Sequence, residues 1–371
     1  MKKTLITLLA IMVASTTVAQ NYKYYAGNLH AHTGYSDGNK DGSKTGVKTP
    51  EASFDFAKKS ENFHYMGISE HNHKKAGMKY PNYAKGLQEA KASTITTFAC
   101  LYGMEYGVIE EEGGHVLIYG VDDLIGWDEN NFAVECARSD YNSLWNILQD
   151  YPDAFATLAH PEKTDYENLL NRPYNKNADK VICGVAIMTG PAFAKNSNYK
   201  TKSPKKFVGY YQGMLAAGYH VGPTVDHDNH YLTFGRMASS RTIVLATELN
   251  PESIMEAFRE MRFYASTDWN VKVSFSVNGF PMGKRINTKT EANIAVSVDD
   301  PDTDDEVKSI KIMYGRPGSK ELSTMLTSSK KGEFEFSHDL PKGKEYYYYL
   351  EIAQSDGDKV YTSPVWVKRL N

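Results

Sequence analysis

Residues 49–71 read TPEASFDFAKKSENFHYMGISEH and join a helix start to a strand that ends on two ligand-type side chains. Thr49 offers a hydroxyl cap, and Pro50 suits the first helical turn, where no backbone N–H is needed. The helix is predicted to run to about Lys59. YMGIS at 65–69 follows as a strand that stops at Glu70 and His71. The same order recurs where YNSLWNILQD at 141–150 leads into AFATLA at 154–159, which stops at His160-Pro161. A third unit opens at Asn250-Pro251-Glu252, places Ile254, Ala257, Phe258 and Met261 on one helix face, and passes into RFYAST at 262–267. Such alternation from about residue 24 to 268 predicts an α/β unit. Polar ligand-type residues at strand C-terminal ends mark barrel-type enzymes, whose following loops build the site.

Past Asn270 the pattern changes. VKVSFSV, ANIAVSV, VKSIKIMYG, GEFEFS, KEYYYYLEIAQ and KVYTSPVWVK are short strand patterns, separated by turn formers such as Asp300-Pro301-Asp302 and Ser355-Asp356-Gly357-Asp358. Residues 271–371 are therefore expected to form a small Ig-like β-sandwich, packed directly on a unit spanning 20–270. Residues 1–19, MKKTLITLLAIMVASTTVA, have the two lysines, short apolar run and small-residue end of an export signal. A periplasmic or secreted location follows as the expectation, with the mature chain starting near Gln20. The apolar run is too short to span a bilayer, so no membrane span is expected in the mature protein. Without Lys2 and Lys3 the formal charge moves from −3 to −5, and no dense Lys/Arg cluster offers a nucleic-acid track. Cys100, Cys136 and Cys183 fit no C-x-x-C metal site; buried thiols are the simpler reading, and their pairing stays open.

GNLHAHTGYSDG at 27–38 sets His30 and His32 two apart, a spacing that puts both imidazoles on one face of a strand, with Asp37 in the turn behind them. An isolated H-x-H pair is weak evidence. Here it is joined by His71 in ISEHNH, Glu105 in YGMEYG, His115 in EGGHVLIYG, His160 in LAHPE, and Asp228 and His230 in DHDNH. Imidazole with carboxylate suits zinc, manganese or iron, and these nine residues exceed the roughly four ligands of one zinc ion. Two or three divalent ions are the economical expectation.

The order H-x-H-x4-D, an acid-His pair after a strand, then Glu, GH, AHP and D-x-H resembles the PHP (polymerase and histidinol phosphatase) superfamily, in particular its secreted carbaryl-hydrolase-like branch. The resemblance implies a distorted seven-unit barrel with metals at its C-terminal mouth. It further implies that His30, His32, Glu105 and Asp228 hold one ion, that Glu105, His115 and His160 hold a second, and that Asp37, His71 and His230 hold a third. Glu105, His160 and Asp228 are then the catalytic positions. Relatives carry Asp where this chain has Glu70, so Glu70 is read as orienting a ligand rather than binding metal.

A hydroxide held between two ions is a sufficient nucleophile, and the chain lacks a G-x-S-x-G elbow. Phosphoester hydrolysis of a small molecule is the leading expectation. Metal-dependent cleavage of an ester, amide or carbamate is the alternative, and a non-catalytic carbohydrate- or protein-binding scaffold is the alternative of another class. His73 and His227, beside ligands, and Arg236 and Arg241, downstream, are candidate substrate contacts. His64, His220 and His338 lack companion ligands and are read as structural. Tyr346–Tyr349 could present a carbohydrate or protein contact, although packing explains it as well. Because every proposed ligand precedes residue 271, the C-terminal strands are expected to be dispensable for chemistry.

Overall fold

Thr49 Oγ1 accepts a hydrogen bond from Ala52 N at 3.3 Å, and the helix it caps spans Pro50–Ala57 in a computed structural model describing residues 21–204, 206–302 and 305–371. The expected export signal lies outside the described residues. Asp140 and Asn250 cap Tyr141–Leu148 and Pro251–Arg259 in the same way. The second of these buries Ile254, Ala257 and Phe258. Phe258 stacks on Phe155 and tilts against Phe263, with ring centroids 5.3 and 4.9 Å apart, which seats the helix on the sheet beneath it.

That sheet is mixed and carries most of the chain, with few helices. Its strands are β1 (Lys23–Asn28), β2 (Tyr65–His71), β3 (Ala99–Val108), β4 (Gly114–Tyr119), β5 (Phe155–Ala159), β6 (Ile182–Thr189), β7 (Gly222–Asp226), β8 (Arg241–Ala246) and β9 (Phe263–Ser266). Their spatial order is β9-β8-β1-β2-β3-β4-β5-β6-β7. β1, β2 and β3 are parallel, β4 is antiparallel to both neighbours, and β5, β6 and β7 are parallel again. The sheet curls back on itself: Ala31 bridges Asn229 in parallel, His32 N donates to Asn229 O at 2.9 Å, and Asp228 N donates to His30 O at 2.9 Å. The extension of β7 is thus hydrogen-bonded to the extension of β1.

The C-terminal strands are β10 (Lys272–Val277), β11 (Ala292–Asp299), β12 (Val307–Gly315), β13 (Thr324–Ser329), β14 (Glu333–His338), β15 (Glu345–Gln354), β16 (Lys359–Thr362) and β17 (Val365–Arg369). β10, β11 and β14, with Phe280–Pro281, make a separate four-stranded sheet. The remaining strands join the main sheet, because β16 pairs antiparallel with β9 from Tyr264↔Thr362 to Ser266↔Val360. With the short strand Arg285–Thr288, which pairs in parallel with β17, the result is one sheet of 15 strands running through both parts of the chain. Val273, Phe275, Ile294 and Val296 face Ile310, Ile312, Leu350 and Ile352 in a core that also takes in Ala26, Ile243, Leu245 and Tyr264 from β1, β8 and β9.

This arrangement explains the tyrosine run. Tyr348 lies in that second core, whereas Tyr347 and Tyr349 pack toward the first, where Tyr349 meets Tyr211 edge-on at 5.8 Å. A strand covered on both faces reads as a continuous hydrophobic run rather than an alternation. Cys100, Cys136 and Cys183 are all buried and unpaired. Among the described residues no helix is long and apolar enough to cross a membrane.

Removing residues 271–371 should therefore do more than delete an appendage. It leaves the β9 edge unpaired and uncovers the Ala26, Ile243, Leu245 and Tyr264 surface, a combination that invites association through the edge. The truncated chain is expected to aggregate or to melt well below the full chain. Size-exclusion chromatography and a thermal scan check this, and a monomeric truncation with an unchanged midpoint would contradict it.

Candidate metal centre

The nine ligand-type residues arise at one edge of the curled sheet. β1, β2, β5 and β7 deliver His30, His32, Asp37, His71, His160, Asp228 and His230 at or beyond their C-terminal ends, and antiparallel β4 delivers His115 at its start, which lies at the same edge. Glu105 sits on β3 opposite His71 in register, and Gly107 lies opposite His115. The pairing thereby fixes the separation of these side chains before any ion is considered. His160 and Asp228 both have positive φ, 32° and 53°. Such backbone is costly for non-glycine residues, and its concentration at two ligand positions is typical of functional sites.

Glu105 is the hub. Its Oε1 lies 2.7 Å from His115 Nδ1, 3.2 Å from His30 Nε2 and 3.3 Å from His160 Nε2. Its Oε2 lies 3.0 Å from His32 Nε2 and 3.3 Å from His71 Nδ1. Asp228 Oδ1 approaches His30 and His32 Nε2 at 3.3 and 3.2 Å and His230 Nδ1 at 3.5 Å. Asp37 Oδ1 lies 3.5 Å from His230 Nε2 and 3.8 Å from His71 Nε2.

These spacings do not make a satisfied hydrogen-bond network. His30 Nε2, both ring nitrogens of His32, His71 Nδ1, Glu105 Oε2 and Asp37 Oδ1 are buried without a hydrogen-bond partner. Ligand atoms at 2.0–2.2 Å from a common ion sit roughly 3–3.5 Å from one another, which is the spacing seen here. Orphaned, converging imidazole and carboxylate atoms of this kind fit divalent cations. Three groups are close enough to share an ion: His30, His32, Glu105 and Asp228; His32, Asp37, His71 and His230; and His71, Glu105 and His115. The first matches the set implied by the resemblance, and the second adds His32. The third has His71 where His160 was expected; His160 instead approaches the Oε1 side of Glu105, where His30 also lies.

Burial works to raise the Glu105 carboxyl, but the imidazoles of His115, His30 and His71 outweigh it and hold it well below the usual carboxylate range. Burial likewise opposes charge on His30 and His32. Glu105 and Asp228 nevertheless raise His30 well above normal and, led by Asp228, push His32 up to about 9. His71 goes the other way, because burial and its imidazole neighbours outweigh Glu105. Without a cation, then, Glu105 and Asp228 favour the charged form of His30 and His32, while burial disfavours it at His71.

Asp226 was missed in the sequence. Its Oδ2 lies 3.1 Å from His30 Nδ1, the carboxylate–imidazole arrangement that fixes the tautomer of a metal-binding histidine. The only signal was proximity, since Asp226 opens the string DHDNH that also holds Asp228 and His230. Glu70 orients a loop rather than His71. It accepts from Thr33 N at 3.1 Å and from the hydroxyls of Thr33 and Ser36, bracing the segment between His32 and Asp37.

The expected substrate contacts separate. His73 lies at the rim, its ring 5.7 Å from His71 and stacked on Trp127, with Nδ1 accepting from Ala76 N. His227 is fully buried with Nε2 2.8 Å from Ser240 O, so it has no route to a substrate. Arg236 stacks on Phe56 and donates to Ser60 Oγ and Lys59 O, and Arg241 is spent on five backbone carbonyls. Both arginines hold backbone rather than face the centre. His64, His220 and His338 are bonded away from it, to Ala26 N, Asp179 and Tyr348.

A cleft of about 300 Å³ reaches the centre at His160 and Asp228 and is walled by Asp165, Glu162, Lys206 and Phe207. Asp165 opens a turn in which Tyr166, Glu167 and Asn168 all have positive φ. Tyr166 OH donates to Ala159 O and His115 O, tying that turn to two ligand-bearing strands. Gly114 permits the approach: a Cβ there would lie 2.8 Å from the Tyr166 ring and 2.9 Å from Asp165 Cβ.

No family model matches the chain. An uncharacterised protein of Chlamydia pneumoniae is 23% identical over 137 residues, covering 34% of this chain and 22% of that protein. An uncharacterised protein of Chlamydia muridarum is 22% identical over the same length, with the same coverage. The matched region is thus less than a quarter of those relatives. Among solved structures, an engineered protein aligns over 92% of this chain and 93% of its own at 11% identity with a TM-score of 0.24. A superoxide reductase from Ignicoccus hospitalis aligns over 27% of this chain and 80% of its own at 12% identity with a TM-score of 0.21.

Two outcomes test the centre. Glu105→Ala removes the one carboxylate common to two of the three groups and is expected to lower metal content in both together, whereas His71→Ala, which keeps Glu105, should leave the His30, His32, Glu105 and Asp228 set loaded. Metal stoichiometry of folded variants, with circular dichroism as the folding check, separates the two; full occupancy in Glu105→Ala would rule the geometry out. The second outcome concerns protons. Because His30 and His32 are raised and ligands must lose their protons, zinc binding to the metal-free protein at pH 7 should release about 1–2 protons and weaken as pH falls. Calorimetry in buffers of different ionisation enthalpy reads that number directly, and zero release would contradict the assignment.

Proposed function

We propose that the chain is an exported metal-dependent hydrolase of the PHP type that cleaves phosphate esters of small molecules. The observation that carries the reading is the convergence of nine imidazole and carboxylate side chains on one sheet edge, with buried ligand atoms left unpartnered around Glu105. The curled sheet, whose β7 extension bonds back to β1, supports a distorted seven-unit barrel, and the ligand edge corresponds to the catalytic mouth of such barrels.

Divalent ions held by His30, His32, Asp37, His71, Glu105, His115, His160, Asp228 and His230 would activate water and neutralise charge on a phosphoryl group. The chain's own residues supply the rest. Asp226 holds His30 in one tautomer, and Glu70 keeps the Asp37 loop against the cluster. Lys206 sets a positive charge on the cleft wall for an anionic substrate. Asp165 accepts from Glu162 N through Oδ2, and burial raises its carboxyl. From its place on the cleft wall, Asp165 is assigned the role of proton donor to the leaving alkoxide.

A second reading, hydrolysis of an ester, amide or carbamate, is favoured by two observations: Arg236 and Arg241 are committed to the backbone, and the cleft wall includes Phe207 and Ile109. An aryl phosphomonoester, a phosphodiester and the matching carboxylester, assayed in added manganese, zinc or iron, separate the two. Faster phosphoester turnover is expected, and efficient carboxylester cleavage without phosphatase activity would overturn it. Asp165→Asn should lower kcat about 10²-fold or more while metal content stays unchanged; an unaltered kcat removes Asp165 from the reaction.

A further inference from the structure

Five aspartates that play no part in the histidine-rich centre gather where β9 hands over to the C-terminal strands. Asp268 follows β9, Asp300 and Asp305 belong to the β11–β12 loop, and Asp356 and Asp358 lie in the β15–β16 turn. Carboxylate oxygens of Asp268, Asp300 and Asp305 all lie within 4.8 Å of one another. The backbone takes one oxygen of each: Asn270 N donates to Asp268 Oδ1 at 3.1 Å, Asp302 N to Asp300 Oδ1 at 2.9 Å, and Ser355 N to Asp305 Oδ1 at 3.1 Å. The Oδ2 atoms are left facing a single side chain, Gln354.

Gln354 supplies the independent sign of a ligand. It is 1% exposed, and its Oε1 is buried without a partner. Its amide end enters the cluster, with Nε2 2.8 Å from Asp305 Oδ2, 3.4 Å from Asp268 Oδ2 and bonded to Asp300 Oδ2 as well. An amide nitrogen has two protons to offer three carboxylates, while the carbonyl finds no donor. Turning the amide over, which the heavy-atom shape permits, brings Oε1 among the three Oδ2 atoms as a fourth oxygen. Among the described residues no lysine pairs with the inner three: Lys272 pairs with Asp299, and Lys200 and Lys359 line a groove that includes Asp356 and Asp358.

We propose that Asp268, Asp300, Asp305 and Gln354 form a calcium site, separate from the histidine-rich centre, that ties the end of β9 to two loops of the C-terminal strands. All-oxygen donors with three negative charges suit a hard cation, and an irregular, loop-built shell suits calcium better than the strict octahedron of magnesium.

The test uses the full chain prepared metal-free, reloaded with zinc alone at its histidine-rich centre and then given millimolar calcium. Wild type is expected to take up about one calcium per chain and to melt roughly 2–4 °C higher. Asp305→Asn should lose both effects while keeping its zinc, which doubles as the folding check. Glu105→Ala should keep the calcium response. Gln354→Glu adds a charged oxygen and should tighten calcium binding, so the proposal stays testable even if the aspartate variant folds poorly. Absence of calcium uptake by wild type, or an equal thermal shift in Asp305→Asn, overturns it.

Discussion

One buried carboxylate, Glu105, holds five imidazoles within 3.3 Å of its two oxygens. Burying a charge in this way is tolerable only with full compensation, and the protein organises its sheet to provide it. β2 in register with β3 sets His71 beside Glu105, β4 turned antiparallel brings His115 back to the same edge, and β5 beside β4 adds His160. The reversal of β4 is therefore a requirement of the centre: a parallel strand in that place would carry the start of β4 to the opposite edge.

The candidate ligands were legible in the sequence for a physical reason. Strands that end on a ligand leave a local trace, an apolar run followed at once by His or an acid-His pair, and β2 and β5 both show it. Two helix starts were legible for the same reason, because Thr49 and Asn250 act within three residues of themselves; the cap at Asp140 emerged only in the structure. Whatever depended on distant partners was not. His227 and Arg236 looked like substrate contacts because they lie near ligands in sequence, yet Ser240 O claims one, and Phe56, Lys59 and Ser60 claim the other. Asp226 was hidden by its own neighbours, since in an acid- and histidine-rich string the supporting carboxylate looks no different from the ligands.

The boundary near residue 270 was legible as a change of pattern, but its meaning was not. Helices do stop there, yet the hydrogen bonding continues from β9 into β16. Alternation along β10 reports one buried face. The unbroken tyrosines of β15 report two, and sequence alone could not say that the second face is covered by the N-terminal part of the chain.

That continuity has a mechanical consequence. A load applied to the C-terminal strands meets no slack hinge before it reaches the strands that carry the ligands; it passes through the antiparallel rungs between Tyr264–Ser266 and Val360–Thr362. The two parts of the chain thus behave as one elastic plate rather than as beads on a string. Any surface that holds the molecule by its C-terminal strands would also fix the direction in which the cleft faces.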